Sequence, residues 1–218
     1  MQTKGSYIAE TWANRYHLHL YPTIPGQRYM RNKPRLIFQD SCSNVRLWER
    51  ELSLIRNWLK ANFPEYFSAW RNPMDYMNPR ITRTLGRTRV YSIECDYEHC
   101  DEHFSLDMAR QIVCPIIREF MDDATAVLFE VYVEECFNQP LYMGAYMIEG
   151  LHNLFSGQTI TNDFETIYDV CLMIGVLLVN DYDPIKIFLL ANGDDMALLI
   201  NASESQVVSI RDMIVKEA

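Results

Sequence analysis

IKIFLLANGDDMALLI, residues 185–200, contains two apolar runs joined through Asn192-Gly193-Asp194-Asp195. Asn-Gly between such runs is a strong local signal for a β-hairpin, because a tight turn needs positive φ and glycine adopts it without steric cost. The stretch therefore reads as two antiparallel strands with a pair of carboxylates at the turn that joins them. Adjacent acids in a turn are also ordinary turn chemistry, so the hairpin by itself assigns no activity.

Upstream, RVYSIEC (89–95) alternates as a strand and runs into a second acidic cluster, CDYEHCD (95–101). Two antiparallel neighbours would bring Asp96 beside Asp194. Magnesium takes oxygen ligands and is usually held by one or two carboxylates together with substrate phosphates. Two such ions about 3.5 to 4 Å apart clamp the attacking and leaving oxygens of a phosphoryl transfer. Between the acidic clusters lies FSGQTIT (155–161), a glycine loop leading into a helix over 161–179 with Phe164, Ile167, Cys171, Ile174 and Leu178 on one face. Gly157 permits close backbone approach, and the helix start offers unpaired N–H groups to an anionic or ribose-bearing ligand. Thr161 and Glu165 lie one turn apart on that helix. Near the N-terminus, RYMRNKPRLIF (28–38) is basic, and in an extended segment Arg31, Lys33 and Arg35 project from one face as a phosphate-binding row.

Around these segments the pattern is mixed. The first forty residues, with Pro22, Pro25, Gly26 and Pro34, argue for an extended or looped region. Val45, Trp48, Leu52, Ile55 and Leu59 recur at helical steps up to Pro64, and residues 64–88 read as irregular connection. Ser105 caps a helix running to Phe120 and bent at Pro115, residues 124–138 fit helix or strand, and 142–148 are extended. Ser203 and Gln206 form a capping box for a last helix bearing Val207, Ile210, Met213 and Ile214. The fold class expected is α+β, an antiparallel sheet backed by helices.

With 218 residues, 49% of them hydrophobic, the chain can bury a real core. No apolar run reaches the roughly 18 residues of a membrane span, and the first residues lack a signal-peptide core, so a soluble, unexported protein is expected. The six cysteines are scattered, as reduced thiols would be. Net charge is −9, but residues 1–90 hold 15 Lys and Arg against 6 Asp and Glu, and residues 91–218 hold 5 against 23. Such a split gives a basic part suited to phosphates and an acidic part suited to divalent cations.

In order and spacing these segments resemble viral RNA-directed RNA polymerases of the picorna-like group and of the partitivirus and picobirnavirus branch. KPRLIF is similar to the basic motif F, DYEHCD to motif A, SGQTIT to motif B and NGDD to motif C. The separations are about 60 residues from Arg35 to Asp96, 60 to Ser156 and 38 to Asp194. The resemblance implies a polymerase palm with part of the fingers, divided as a basic fingers region (1–90) and a palm (91–218) carrying motifs A, B, C and the start of D, without a thumb. It implies Asp96, Asp194 and Asp195 as catalytic metal ligands for Mg2+ or Mn2+, and Asp101 as the acid that senses the ribose 2′-OH. Ser156, Gly157 and Thr161 would position template and nucleotide, and Arg31, Lys33 and Arg35 would cover the triphosphate. Glu165 stands nine residues after Ser156, where the family has Asn or Asp, with Asn162 as the alternative partner for Asp101. The implied partners are RNA template and product, ribonucleoside triphosphates and the remainder of the polymerase, working in the host cytoplasm or inside the virion.

Three rivals compete for the same residues: a zinc module, a reverse transcriptase-like palm, and a catalytically incomplete metal-binding remnant that keeps the motifs without the activity. Cys95, His99, Cys100 and His103 lie within nine positions and are zinc-type ligands, but no second ligand pair accompanies them. Reverse transcriptases share the palm, yet resemble a pattern with an aromatic residue before the paired acids and a bulky steric gate in motif A. Here Gly193 and Asp101 hold those places, which favours RNA synthesis.

Overall fold

A computed structural model of the chain describes residues 23–30, 33–39, 42–67, 83, 85–86, 90–97 and 100–217. Strands β1 (Ile24–Met30) and β2 (Lys33–Gln39) form an antiparallel pair with Arg28 opposite Arg35. Helix α1 (Cys42–Asn62) follows the expected stripe. Trp48, Leu52, Ile55 and Leu59 are buried, Val45 is largely exposed, and Pro64 begins the short helix α2 (Pro64–Phe67). Next come β3 (Tyr91–Asp96), α3 (Cys100–His103) and α4 (Leu106–Met108), the last capped by Ser105, whose hydroxyl accepts from the Met108 N–H. A π-helical turn, Ala109–Val113, joins α4 to α5 (Cys114–Arg118). Pro115, early in α5, has no N–H to return to the preceding turn, and the wider turn there absorbs that loss.

The ambiguous segment is helical. Helix α6 (Asp123–Asn138) is capped by Asp122, which accepts from the Thr125 N–H at 2.9 Å, and buries Phe129, Tyr132, Val133 and Phe137. Strands β4 (Leu141–Met143) and β5 (Tyr146–Ile148) form a small hairpin, and helix α7 covers Thr161–Val179. Strands β6 (Ile187–Asn192) and β7 (Asp195–Ile200) form the hairpin read from the sequence. Helix α8 (Glu204–Glu217) begins with a reciprocal capping box: the Ser203 N–H donates to Gln206 Oε1 at 3.0 Å, and the Gln206 N–H donates to Ser203 Oγ at 3.4 Å.

Two compact units arise, each discontinuous in sequence: Met1–Ser53 with Asp101–Thr161, and Leu54–Cys100 with Asn162–Ala218. In the first unit, Trp48 of α1 stacks on Tyr132 and meets Phe129 edge-on, and the Thr23 N–H donates to the Pro140 carbonyl while the Tyr142 N–H donates to the Thr23 carbonyl, tying the start of the N-terminal hairpin to β4. In the second, β3, β7 and β6 form an antiparallel sheet in that order, with Phe67 of α2 bridging to Leu190 at the β6 edge. Among the described residues, no helix is long and apolar enough to cross a membrane.

The face of α7 differs from the one its hydropathy suggests. Phe164, Ile167, Val170, Met173, Val176 and Leu177 are buried, together with the polar Asp163, Glu165, Thr166 and Asp169, whereas Leu178 is 57% exposed. The polar residues of its first half are turned inward because they are used there, as described next.

Candidate active site

Register fixes the faces of the three-stranded sheet, since directly opposed residues project to the same side. Ala191, Met196 and Cys95 form one cross-strand row, Leu189, Leu198 and Ile93 the next, and both project to the closed side, where all but Cys95 are buried. The opposite side carries Leu190, Ala197 and Glu94, then Asn192, Asp195 and Asp96. Asp96 and Asp195 are exposed there and border a cleft of about 400 Å³ lined also by Glu94, Leu190, Asn192 and Ala197. Asp96 therefore has Asp195, rather than Asp194, as its direct cross-strand partner, with Cβ atoms about 4.5 to 5.5 Å apart in such pairs. The reason is the length of the turn: Asn192 and Asp195 close the hairpin, and Gly193 and Asp194 are its two loop residues.

Gly193 has φ +64°, and Asp194 does not share the positive value, the pattern of a II′ turn. Helix α7 holds this glycine from behind. The buried Gly193 N–H donates to Thr166 Oγ1 at 2.7 Å, and that hydroxyl donates in turn to the Asn162 carbonyl at 2.6 Å. A Cβ on Gly193 would stand 3.0 Å from Asn162 Oδ1 and 3.4 Å from Glu165 Oε2. Asn162 and Glu165 thus flank the acidic turn. Beside Thr166 in the first turn of the helix, Asp163 is buried and met by Arg56 of α1, whose Nη1 lies 2.8 Å from one carboxylate oxygen and 3.2 Å from the other.

One turn further along α7, Asp169 is fully buried, and among the described residues neither of its oxygens has a hydrogen-bond partner. Burial, and then the nearby Asp194 carboxylate, pushes its pKa up to about 8. The Tyr97 hydroxyl, next after Asp96, is likewise buried and unpartnered, and its pKa is raised by burial and by Asp169. Burial and then Asp169 also push the Cys95 thiol up. Sequence reading named none of Arg56, Tyr97, Asp163, Thr166 or Asp169. The polar residues Asp163, Glu165, Thr166 and Asp169 in the first half of an otherwise apolar α7 were the available signal.

The glycine loop belongs to the other unit. Gly157 has φ +100°, and a Cβ there would fall 2.8 Å from the Phe38 carbonyl oxygen, so only glycine lets the loop reach β2. The Phe38 N–H donates to the Ser156 carbonyl at 2.8 Å, and the Phe38 ring stacks on Phe155 at 4.3 Å. The basic KPRLIF segment and the SG loop are therefore directly joined. Inside the loop, buried Gln158 accepts from the Phe155 N–H and donates to the Cys136 carbonyl, and Thr161 Oγ1 donates to the Phe155 carbonyl at 2.7 Å. Thr161 is thus committed to shaping the loop. The structure describes the backbone of Lys33 and Arg35 in β2 and of Asp101 in α3, whereas Arg31 and His99 lie outside the described residues.

The cleft residues fit a magnesium-type ion. Their donors are carboxylate oxygens on one open sheet face, and two carboxylates completed by phosphates and water is how magnesium is commonly held. Among the described residues no three acidic, Cys or His side chains form a ready-made cage, the arrangement a structural zinc would need.

No protein-family model matches the chain, and no curated protein matches it by sequence. Its fold does match the RNA-dependent RNA polymerase of a human picobirnavirus, with a TM-score of 0.68 over 87% of this chain at 18% identity. The fold is that of part of a viral RNA-dependent RNA polymerase. The insertion loop deletion mutant of the picobirnavirus polymerase matches equally, at 19% identity and TM-score 0.68. This chain spans 38–39% of the length of those two polymerases. Its α+β architecture, an antiparallel sheet with helices behind it, is the polymerase palm architecture expected from the sequence.

Proposed function

We propose that this chain is the palm and part of the fingers of an RNA-directed RNA polymerase, a fragment carrying the residues with which the full-length enzyme performs template-directed nucleotidyl transfer from ribonucleoside triphosphates. The observation that carries the reading is the cross-strand pair Asp96 and Asp195 on the open face of the sheet, next to Asp194 in the turn. Asp96 and Asp195, completed by substrate phosphates and with Asp194 as a further ligand carried by the turn, would hold Mg2+ or Mn2+, which would supply charge neutralisation and activation of the attacking hydroxyl at the nucleotide α-phosphate. Lys33 and Arg35, with Arg31, would meet the triphosphate as charge-assisted donors. Ser156 and Gly157 would position template and nucleotide from a loop that Thr161 and Gln158 keep rigid. Asp101 would accept a hydrogen bond from the ribose 2′-OH, and Asn162 or Glu165 would serve the incoming nucleotide. RNA, ribonucleotides and the rest of the polymerase chain are the partners of this reading, and the host cytoplasm or the virion is its place of work.

The test is extension of an RNA primer on an RNA template by the full-length polymerase. Asp96→Ala and Asp194→Asn should each abolish extension while leaving the fold intact by circular dichroism. Asp101→Ala should instead extend but lose roughly tenfold to a hundredfold of its preference for ribonucleotides over deoxyribonucleotides, the value of one buried polar group left unpaired. Extension that survives Asp96→Ala would overturn the assignment.

A further inference from the structure

The polymerase reading uses the two acids of the turn but says nothing of what holds the turn still. A two-residue hairpin loop is a poor platform for metal ligands, because its central peptide groups are not part of the strand ladder. The Gly193 N–H is such a group, and it is buried. A buried amide needs an acceptor, and here the acceptor is a side chain 27 residues earlier.

Chemistry fixes the direction of both bonds at that side chain. The Asn162 carbonyl can only accept, so the single hydroxyl proton of Thr166 goes to it at 2.6 Å. The Gly193 amide can only donate, so it takes a Thr166 lone pair at 2.7 Å. The hydroxyl is thereby locked at both ends, within a side chain that is fully buried. Asn162 and Glu165 approach the same glycine from the same helix turn, so that a Cβ there would meet Asn162 Oδ1 tightly, at 3.0 Å, and Glu165 Oε2 at 3.4 Å. One turn of α7 therefore grips one residue of the acidic hairpin, immediately before Asp194 and Asp195.

We propose that Thr166 is a positioning residue for nucleotidyl transfer: by anchoring the Gly193 amide to α7 it sets where Asp194 and Asp195 stand relative to Asp96. The proposal rests on the polymerase reading for its consequence in catalysis, but the anchoring itself is independent of that reading. It predicts a loss confined to the chemical step, since misplacement of reacting groups by about 1 Å costs up to roughly a hundredfold in rate.

Two variants separate the hydrogen bond from the packing. Thr166→Val keeps the shape and removes the acceptor, and Thr166→Ser keeps the acceptor and removes the methyl group. Amide hydrogen exchange on this chain, read at Gly193, should show slow exchange in the wild type and in Thr166→Ser and fast exchange in Thr166→Val. Primer extension by the full-length polymerase should show kcat lowered roughly tenfold to a hundredfold in Thr166→Val, with KM for the nucleotide within about twofold, and near wild-type kcat in Thr166→Ser. Unchanged Gly193 exchange in Thr166→Val would overturn the anchoring, and unchanged kcat would overturn its role in positioning. Should Thr166→Val fail to fold, a Thr166→Ser enzyme with impaired kcat would overturn the proposal by itself. If the wild-type enzyme makes no RNA, the polymerase reading fails, and the exchange result still decides whether Thr166 holds the turn.

Discussion

At residue 193 a hydrogen in place of a side chain meets two demands, a positive φ and the close approach of Asn162 and Glu165. Gly193→Ala should therefore cost about 1 to 2 kcal/mol of stability from the left-handed backbone alone, measured by urea denaturation. It should also displace the turn and lower extension activity. Asp169 makes a different kind of prediction. Its carboxyl leaves water on folding and finds Asp194 as a charged neighbour, so the folded state favours the protonated form, with a pKa of about 8 against 3.8 for the free side chain. Between about pH 4 and pH 8 the folded chain therefore holds a proton that the unfolded chain has lost, and stability falls as pH rises through that window. Asp169→Asn removes the ionisable group while keeping its shape. The melting temperatures of variant and wild type should coincide near pH 4 and separate progressively, with the variant higher, until the gap is constant above pH 8. A gap that does not change with pH would mean that Asp169 ionises normally in the folded protein.

Helix α7 joins these residues, and its first turn depends on α1. Arg56 supplies the counter-charge for Asp163, which is 2% exposed, while the arginine itself is 20% exposed. Removing one member of a buried ion pair strands the other, so Arg56→Met should destabilise by about 3 to 5 kcal/mol. The double variant Arg56→Met/Asp163→Leu should recover most of that, because no charge is then left unpaired. Chemical denaturation of the single and double variants checks both. The same helix shows where sequence reading works and where it stops. Its two ends, the β6–β7 hairpin and the α8 capping box were legible because short-range signals decide them: a glycine turn, a terminal loop, Ser203 facing Gln206. Its buried face was not. Hydrophobic periodicity assigns Asp163, Glu165, Thr166 and Asp169 to solvent and Leu178 to the core, and the structure does the reverse. Two of those polar residues answer to groups far away in the chain, Asp163 to Arg56 at a separation of 107 residues and Thr166 to Gly193 at 27, and no local pattern encodes such partners. The acids Asp96, Asp194 and Asp195 were visible because they sit at strand ends and in a turn. Their exact pairing was not, since a shift of one residue in turn length exchanges Asp194 for Asp195 opposite Asp96.

Across the whole molecule the charge is divided by sequence, positive before residue 90 and negative after it, although the compact units each draw on both halves. A chain with net charge −9 should repel RNA on average, so any binding must come from a local row of cations acting within the roughly 8 to 10 Å over which charges are felt at moderate salt. The candidates are Lys33 and Arg35 on β2, the strand whose far end, at Phe38, is bonded to the SG loop. Arg110 and Arg118 serve as a control, being paired with Glu134 and Glu130 respectively. Binding of single-stranded RNA releases counterions, and log K falls with log salt at a slope of roughly 0.7 for each phosphate neutralised. If Lys33 and Arg35 each neutralise one phosphate, the double variant Lys33→Ala/Arg35→Ala should bind more weakly and flatten that slope by about 1.4. Arg110→Ala/Arg118→Ala should leave the slope unchanged, since those cations have carboxylate partners whose charge they would have to abandon to reach RNA. Fluorescence anisotropy with a labelled RNA strand, titrated between about 50 and 200 mM salt, gives both slopes directly. Equal flattening in the two double variants would mean that RNA responds to overall charge, and the β2 row would lose its assignment as the phosphate-binding segment.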